Sequence, residues 1–191
     1  MNNTSVDSKE QARLVHKSFF DRTKLAIDNG FYLEAICMEY NALESRLNVI
    51  LGVLGMPCGY NKEGRPFLDF GARFNCLIEI MKNNDKIFQN SYLKAVSHLK
   101  RIGEWTEDRN IRIHALYLNT EKTEKIVKKT PTIANRGFVY AREMYNEADR
   151  LKRLKKRHPE YFENINYVCP LKTDACVKTE EFNKRSLSNQ V

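Results

Sequence analysis

Apolar residues that recur three and four positions apart constrain the fold of this chain more than any other feature of its sequence. The clearest run covers about five helical turns ahead of Gly55 and Pro57 and contains Ile36, Tyr40, Leu43, Leu47, Ile50 and Leu54. A stripe with this period covers one side of an α-helix and is stable in water when another element packs on it. The run therefore predicts a helix with its apolar face in a core.

The same period predicts further helices on both sides of this run. They are expected over residues 8–29, 68–82, 91–105 and 135–157, with a short charged helix within residues 120–130 that ends before Pro131. Glycines and prolines predict a loop between Gly55 and Pro66. Because no strand-like alternation of useful length occurs, residues 1–157 are predicted to form an all-α bundle of about five to six helices. Residues 158–191 are predicted to form an irregular, loosely docked tail.

Some polar residues lie within or beside these apolar stripes. Glu39 and Glu44 interrupt the stripe of the second helix. They could support a site residue through a hydrogen bond, but helix edges usually carry such residues, and we interpret them in this way. His98 is expected at a surface or an interface, and Trp105 is expected in the core.

Charge and cysteine content restrict the class of protein. The net charge of +8 favours an acidic partner such as nucleic acid. Five cysteines form an odd set without a CxxC pair, so the sequence predicts neither a disulfide framework nor a zinc site. Residues 1–10 lack the pattern of a secretion signal, and the longest apolar stretch, residues 49–56, is far shorter than the roughly 20 residues that span a bilayer. We therefore expect a cytoplasmic protein with reduced thiols and no membrane partner.

One hexapeptide in the second half of the chain carries residue types that suit phosphate chemistry. Residues 109–114 have the sequence RNIRIH, which places Arg109 and Asn110 five and four positions ahead of His114. Arginine keeps its charge and can bind a phosphate through two N–H groups, whereas histidine titrates near neutral pH and can transfer a proton.

The residues before this hexapeptide predict where its helix begins. Thr106 has the side chain of an N-cap and two acidic residues follow it, so a fifth helix is expected to start at Glu107 or Arg109. Arg109 would then lie in a first turn, where anions are favoured, with His114 about 140° around the helix axis. A long arginine side chain could still turn toward the histidine, so both residues could contact one phosphate.

The hexapeptide and its helical setting resemble the HEPN superfamily, small up-and-down helical bundles marked by an arginine, four to six residues and then a histidine. The resemblance covers roughly residues 8–157 and implies the same up-and-down topology for them. Asn110 occupies the position after the arginine that is often polar in this family, and the family's motif usually lies at the start of a late bundle helix, as predicted here. In one respect the chain departs from the pattern. Some catalytic toxins of the family carry a tyrosine two residues after the histidine, where this chain has Leu116, followed by Tyr117.

This resemblance implies a metal-independent endoribonuclease of the kind found in toxin and phage-defence systems. A ribose 2′-hydroxyl would attack the adjacent phosphate, with His114 moving the proton and Arg109 stabilising charge on the phosphoryl oxygens. Asn110 would orient the histidine or bind phosphate. The resemblance also implies that no metal or cofactor is needed, that the chain forms a homodimer with a composite active site, and that an antitoxin or another regulatory protein is a partner.

Basic and aromatic residues outside this catalytic set are candidates for RNA binding. They are Arg112, Tyr117, Arg153, Lys155 and Lys156. The last three belong to the segment RLKRLKKR at residues 150–157, a composition that also suits a solvated helix end. Arg153 and His158 repeat the spacing of Arg109 and His114 within this segment, so spacing alone does not identify a site.

Two other functions remain open at the level of the sequence. The chain could be a non-catalytic HEPN-like module that binds nucleotide, RNA or a protein, in which His114 forms a hydrogen bond at a helical interface. Arg109 would then cap a helix or pair with Glu104 or Asp108. The chain could also be an antitoxin-like or structural protein whose basic segment binds an acidic partner.

Overall fold

The computed structural model describes residues 4–55, 70–93, 95–115 and 122–165, and its regular elements are helical throughout. Six α-helices and one short 3₁₀ helix occur in these ranges: α1 Thr4–Asp28, α2 Tyr32–Val53, α3 Phe70–Asn83, α4 Asp85–Phe88, α5 Val96–Ala115, α6 Lys122–Arg157 and the 3₁₀ helix Pro159–Tyr161. The prediction of an all-α helical bundle is confirmed. The predicted loop lies mostly, and the tail from residue 166 onward entirely, outside the described residues.

Glycines end the first two helices, as the sequence predicts. Gly30 follows α1 with a φ of 80°, and Gly55 follows α2 with a φ of 74°. At the end of α1 the amide of Gly30 donates to the Ile27 carbonyl at 3.0 Å, and the amide of Phe31 donates to the Ala26 carbonyl at 2.8 Å. This pair of bonds is a Schellman motif, which needs the left-handed backbone that glycine adopts without strain.

The break predicted at Thr106 is absent, and this prediction is wrong. A single helix, α5, runs through Thr106 from Val96 to Ala115. The buried side chains of Ile102 and Trp105 extend the apolar stripe up to Thr106, and Arg112 pairs with Asp108 one turn later. A capping side chain favours a helix start by only about 1 kcal/mol, which burial of two large side chains exceeds.

The break predicted at Pro131 is also wrong. Helix α6 is 36 residues long and contains Pro131 in its interior. Proline removes the amide that would bond the Val127 carbonyl, but Val127 is 61% exposed, so water can reach that part of the helix. Immediately after the proline, Ile133 and Ala134 are buried, and their packing favours continuation of the helix.

The chain divides into two compact units. The first comprises Met1–Leu43 and Glu104–Arg142, and the second comprises Glu44–Gly103 and Glu143–Val191. The predicted stripe of α2 contributes to both cores, and all of its aliphatic members are buried: Ile36, Leu43, Leu47, Ile50 and Leu54. None of the described helices combines the length and apolar character needed to cross a membrane.

Candidate functional site

The hexapeptide lies in the last two turns of α5, in the first compact unit. Because the helix begins at Val96, Arg109 is not in a first turn, and the predicted anion site at a helix N-terminus is wrong. A continuous helix places the side chains of Arg109 and His114 about 140° apart around the axis and about 7.5 Å apart along it. No hydrogen bond or ion pair within the described ranges joins these two side chains.

Arg109 is held by two neighbours in this unit. Its guanidinium carbon lies 4.3 Å from the centroid of the Tyr40 ring on α2. Its Nη1 donates a hydrogen bond of 2.8 Å to Oδ1 of Asn110. The Nε atom is buried and has no hydrogen-bond partner among the described residues. The alternative in which Arg109 pairs with Glu104 or Asp108 is not what the structure shows, since Asp108 pairs with Arg112 instead.

The side chains of Asn110 and His114 are exposed. The alternative in which His114 is enclosed in a helical interface therefore has no support in the described part of this unit. An exposed imidazole can reach a ligand from solvent and exchange protons with it. Tyr117, predicted to bind RNA, lies outside the described residues.

Arg112 is buried and serves α5 itself. Its side chain is 4% exposed, and its Nη1 donates to the carbonyl oxygen of Asp108 at 2.7 Å and to Oδ1 of the same residue at 3.2 Å. A charged group in this position is already partly neutralised. This placement does not favour the predicted contact of Arg112 with RNA.

The predicted basic segment belongs to the second unit, at the end of α6. Arg153 and Lys156 are exposed there. Lys155 donates from Nζ to the carbonyl of Val53 at 2.6 Å, and its Nζ lies 5.6 Å from the Phe162 ring centroid. A cation beside the last carbonyls of α2 stabilises that helix end, so Lys155 has a role within the fold.

The second Arg and His pair of the sequence, Arg153 and His158, is arranged differently from the first. The His158 ring stacks on Tyr161 with the centroids 4.9 Å apart, and its Nδ1 lies 3.1 Å from a carboxylate oxygen of Glu160. His158 is therefore engaged by its own neighbours.

Glu39 is the most unusual polar residue of the first unit, and the sequence interpretation as a helix-edge residue is wrong. It is 1% exposed, and neither carboxylate oxygen has a hydrogen-bond partner among the described residues. A methyl group on Gly137 would lie 2.0 Å from Oε2 of Glu39 and 2.3 Å from Cζ2 of Trp105, so α6 approaches this carboxyl closely. Burial raises the pKa of Glu39 from 4.5 to about 9, which keeps the group protonated and neutral at pH 7. The sequence signal that could have indicated this burial is the position of Glu39 within the apolar stripe of α2.

Other buried polar groups lie in the second unit. His98, which was expected at a surface or an interface, is buried at an interface between helices, where its Nε2 is 2.6 Å from Oε2 of Glu143 on α6. Glu147 is fully buried and accepts hydrogen bonds from the amide of Tyr92 at 2.9 Å and from Arg150. Arg73 bonds the side chains of Glu44 and Asn48. These groups satisfy one another, which is typical of structural contacts.

The described residues contain no cluster of three or more His, Cys, Asp or Glu side chains that could hold a metal ion. The sequence matches no protein-family model, and comparisons with curated proteins and with solved structures give no match. The resemblance to HEPN proteins therefore depends on the hexapeptide alone, because the helix start that the sequence predicts beside it is absent.

Proposed function

We propose that this protein is a metal-independent endoribonuclease whose reaction centre contains Arg109, Asn110 and His114. The observation that carries the proposal is an exposed imidazole that follows, on the same helix, a guanidinium held by Tyr40 and Asn110. RNA is the substrate, because the attacking group is a 2′-hydroxyl that DNA lacks.

The chemistry needs one proton carrier and one cation. The ribose O2′ attacks the adjacent phosphorus while His114 accepts its proton, and the bond from phosphorus to O5′ then breaks. The leaving O5′ receives the proton, which gives a 2′,3′-cyclic phosphate and a 5′-hydroxyl end. Arg109 donates hydrogen bonds to the phosphoryl oxygens, where negative charge increases in the transition state.

The angle between the two side chains bears on how the centre is assembled. Arg109 and His114 are separated by about 140° around the axis of α5. One phosphate can therefore contact both side chains only if the arginine turns toward the histidine or if a second copy of the chain supplies one of the two groups. The second arrangement agrees with the homodimer that the HEPN resemblance implies. An antitoxin or another regulatory protein is the further partner we expect, in a cytoplasmic setting that suits the free thiol of Cys37.

The primary test uses purified protein, a defined single-stranded RNA and EDTA. The wild type should cleave, and H114A and R109A should each lose at least about 100-fold in rate. H158A is the matched control, because it removes the histidine of the other pair with the same spacing and should leave the rate unchanged. RNA with 2′-O-methyl groups should resist cleavage. Cleavage that needs a divalent metal, or that survives H114A, would contradict the proposal.

A mixing experiment tests the composite centre. R109A and H114A protein are combined after mild unfolding and refolding, so that mixed dimers form. If each centre takes its arginine and histidine from different copies, the mixture should recover part of the wild-type activity that neither variant has alone. If both groups come from one copy, each mixed dimer lacks an intact pair and no activity returns.

The exposed cations at the end of α6 favour a second candidate, a non-catalytic RNA-binding module. Lys152, Arg153, Lys156 and Arg157 are exposed in the second unit. Binding by such a surface weakens steeply as salt rises, because phosphate contacts release counterions. An R153A/K156A variant with lower RNA affinity, in a wild type that shows no turnover, would favour this candidate.

A further inference from the structure

Among the described residues, Tyr40 is an aromatic residue that contacts the proposed reaction centre, and nothing in its sequence position indicates this role. It lies on α2, and Arg109 lies on α5, in the same compact unit. The Arg109 guanidinium carbon is 4.3 Å from the ring centroid, well within the distance of about 6 Å at which a cation is attracted to an aromatic face. Both residues are half-buried, so water screens this contact only in part.

The contact places the Arg109 guanidinium over the face of the Tyr40 ring. Arginine binds phosphate through N–H groups that point outward in the plane of the guanidinium. Along one edge, Nη1 is already bonded to Asn110 at 2.8 Å. The ring and the amide together restrict a long side chain that is otherwise free to adopt many rotamers.

We propose that Tyr40 is a positioning residue for Arg109, and this inference rests on the proposed function. Tyr40 holds the guanidinium in the orientation that stabilises the phosphoryl oxygens in the transition state. Without the ring, Arg109 keeps its charge but samples other rotamers, so the arginine can still attract RNA while stabilising the transition state less often. The expected loss is therefore in kcat and not in KM.

The second unit contains a matched contact that serves as the control. There the Arg46 guanidinium carbon lies 4.3 Å from the Tyr145 ring centroid. Arg46 and Tyr145 are also half-buried, and the Nε of Arg46, like that of Arg109, is buried without a partner among the described residues. Removing the Tyr145 ring therefore removes the same kind of interaction from the other unit.

The experiment measures kcat and KM for RNA cleavage by the full-length chain, with folding checked by circular dichroism and thermal melting. Y40L and Y40M, two ring-less variants of different shape, should lower kcat about tenfold with KM within about twofold, as expected for loss of one partly desolvated cation–π contact. Y40F retains the ring and should keep wild-type kcat. Y145L should leave both constants within about twofold.

Double substitution tests whether Tyr40 acts through Arg109. R109A/Y40L should cleave no more slowly than R109A, because the residue that Tyr40 positions is already absent. The inference is overturned if Y40L and Y40M match the wild type, if Y145L loses as much as Y40L, or if Y40L slows R109A by a further tenfold. A wild type that cleaves no RNA would instead overturn the proposed function, and the positioning role would fall with it.

Discussion

Replacing Glu39 with glutamine should stabilise the protein increasingly as pH rises. The wild-type carboxyl is buried without a hydrogen-bond partner among the described residues, and burial raises its pKa from 4.5 to about 9. Below pH 4.5 the group is protonated in both the folded and the unfolded chain, so it imposes no cost that depends on pH. Between pH 4.5 and about pH 9, the unfolded chain releases the proton while the folded chain retains it, so the free energy of unfolding falls as pH rises.

The magnitude follows from this difference in bound protons. Each pH unit within the window lowers the free energy of unfolding by about 1.4 kcal/mol, so the step from pH 5 to pH 8 costs about 4 kcal/mol. Glutamine is neutral throughout and resembles the protonated acid in shape. The E39Q variant should therefore be close to the wild type at pH 5 and more stable by about 4 kcal/mol at pH 8.

Urea unfolding at several pH values measures this difference. The chain has one tryptophan, and Trp105 is buried near Gly137, the residue that Glu39 also approaches, so its fluorescence reports on this region. E34Q is a suitable control, because Glu34 is exposed in the first turn of the same helix. If the stability difference between E39Q and the wild type is the same at pH 5 and pH 8, the carboxyl is not held protonated and the reasoning is refuted.

Four further substitutions test packing and buried polar groups, and the effect of each is measured by urea unfolding followed by circular dichroism. Gly137→Ala should lower the free energy of unfolding by about 1–3 kcal/mol, because the added Cβ would lie 2.0 Å from Oε2 of the buried Glu39 carboxyl group. Gly103→Ala should stabilise α5 by up to about 1 kcal/mol, because nothing lies within 4 Å of the added methyl. Equal effects of the Gly137 and Gly103 substitutions would contradict the packing argument. Trp105→Phe should lower the free energy of unfolding by about 1–3 kcal/mol, because the buried indole donates a hydrogen bond to the Ile133 carbonyl at 2.8 Å. An unchanged urea midpoint would show that this bond contributes nothing to stability. Glu147→Ala should lower the free energy of unfolding by about 3–5 kcal/mol, because it leaves the charge of Arg150 without its partner, and a loss below about 1 kcal/mol would argue against a structural ion pair.

The helical period of the sequence was a sound guide to the helices and to their buried faces. Ile36, Leu43 and Leu47 are buried as predicted, because a side chain every three or four residues faces one side of a helix whatever packs on it. The glycines after α1 and α2 are also recognisable locally, since a left-handed residue at a helix end needs only its own backbone freedom.

Local signals at Thr106 and Pro131 gave wrong helix boundaries. A capping side chain and a proline each change helix stability by about 1–3 kcal/mol, and burial of the residues around them changes it by a similar or larger amount. Ile102 and Trp105 are buried before Thr106, and Ile133 is buried after Pro131. Such burial depends on the other helices, so no inspection of the segment alone reveals it.

The candidate site was likewise determined in part by the sequence and in part by the packing of the helices. The sequence by itself determined that the chain is helical and that Arg109, Asn110 and His114 follow one another on a helix, because periodicity and residue type are local properties. Only the tertiary structure decided that Tyr40 lies against Arg109 and that Glu39 lies buried near Gly137. These contacts join separate helices, and the burial, the pKa and the orientation of a side chain are set by the groups that packing brings to it.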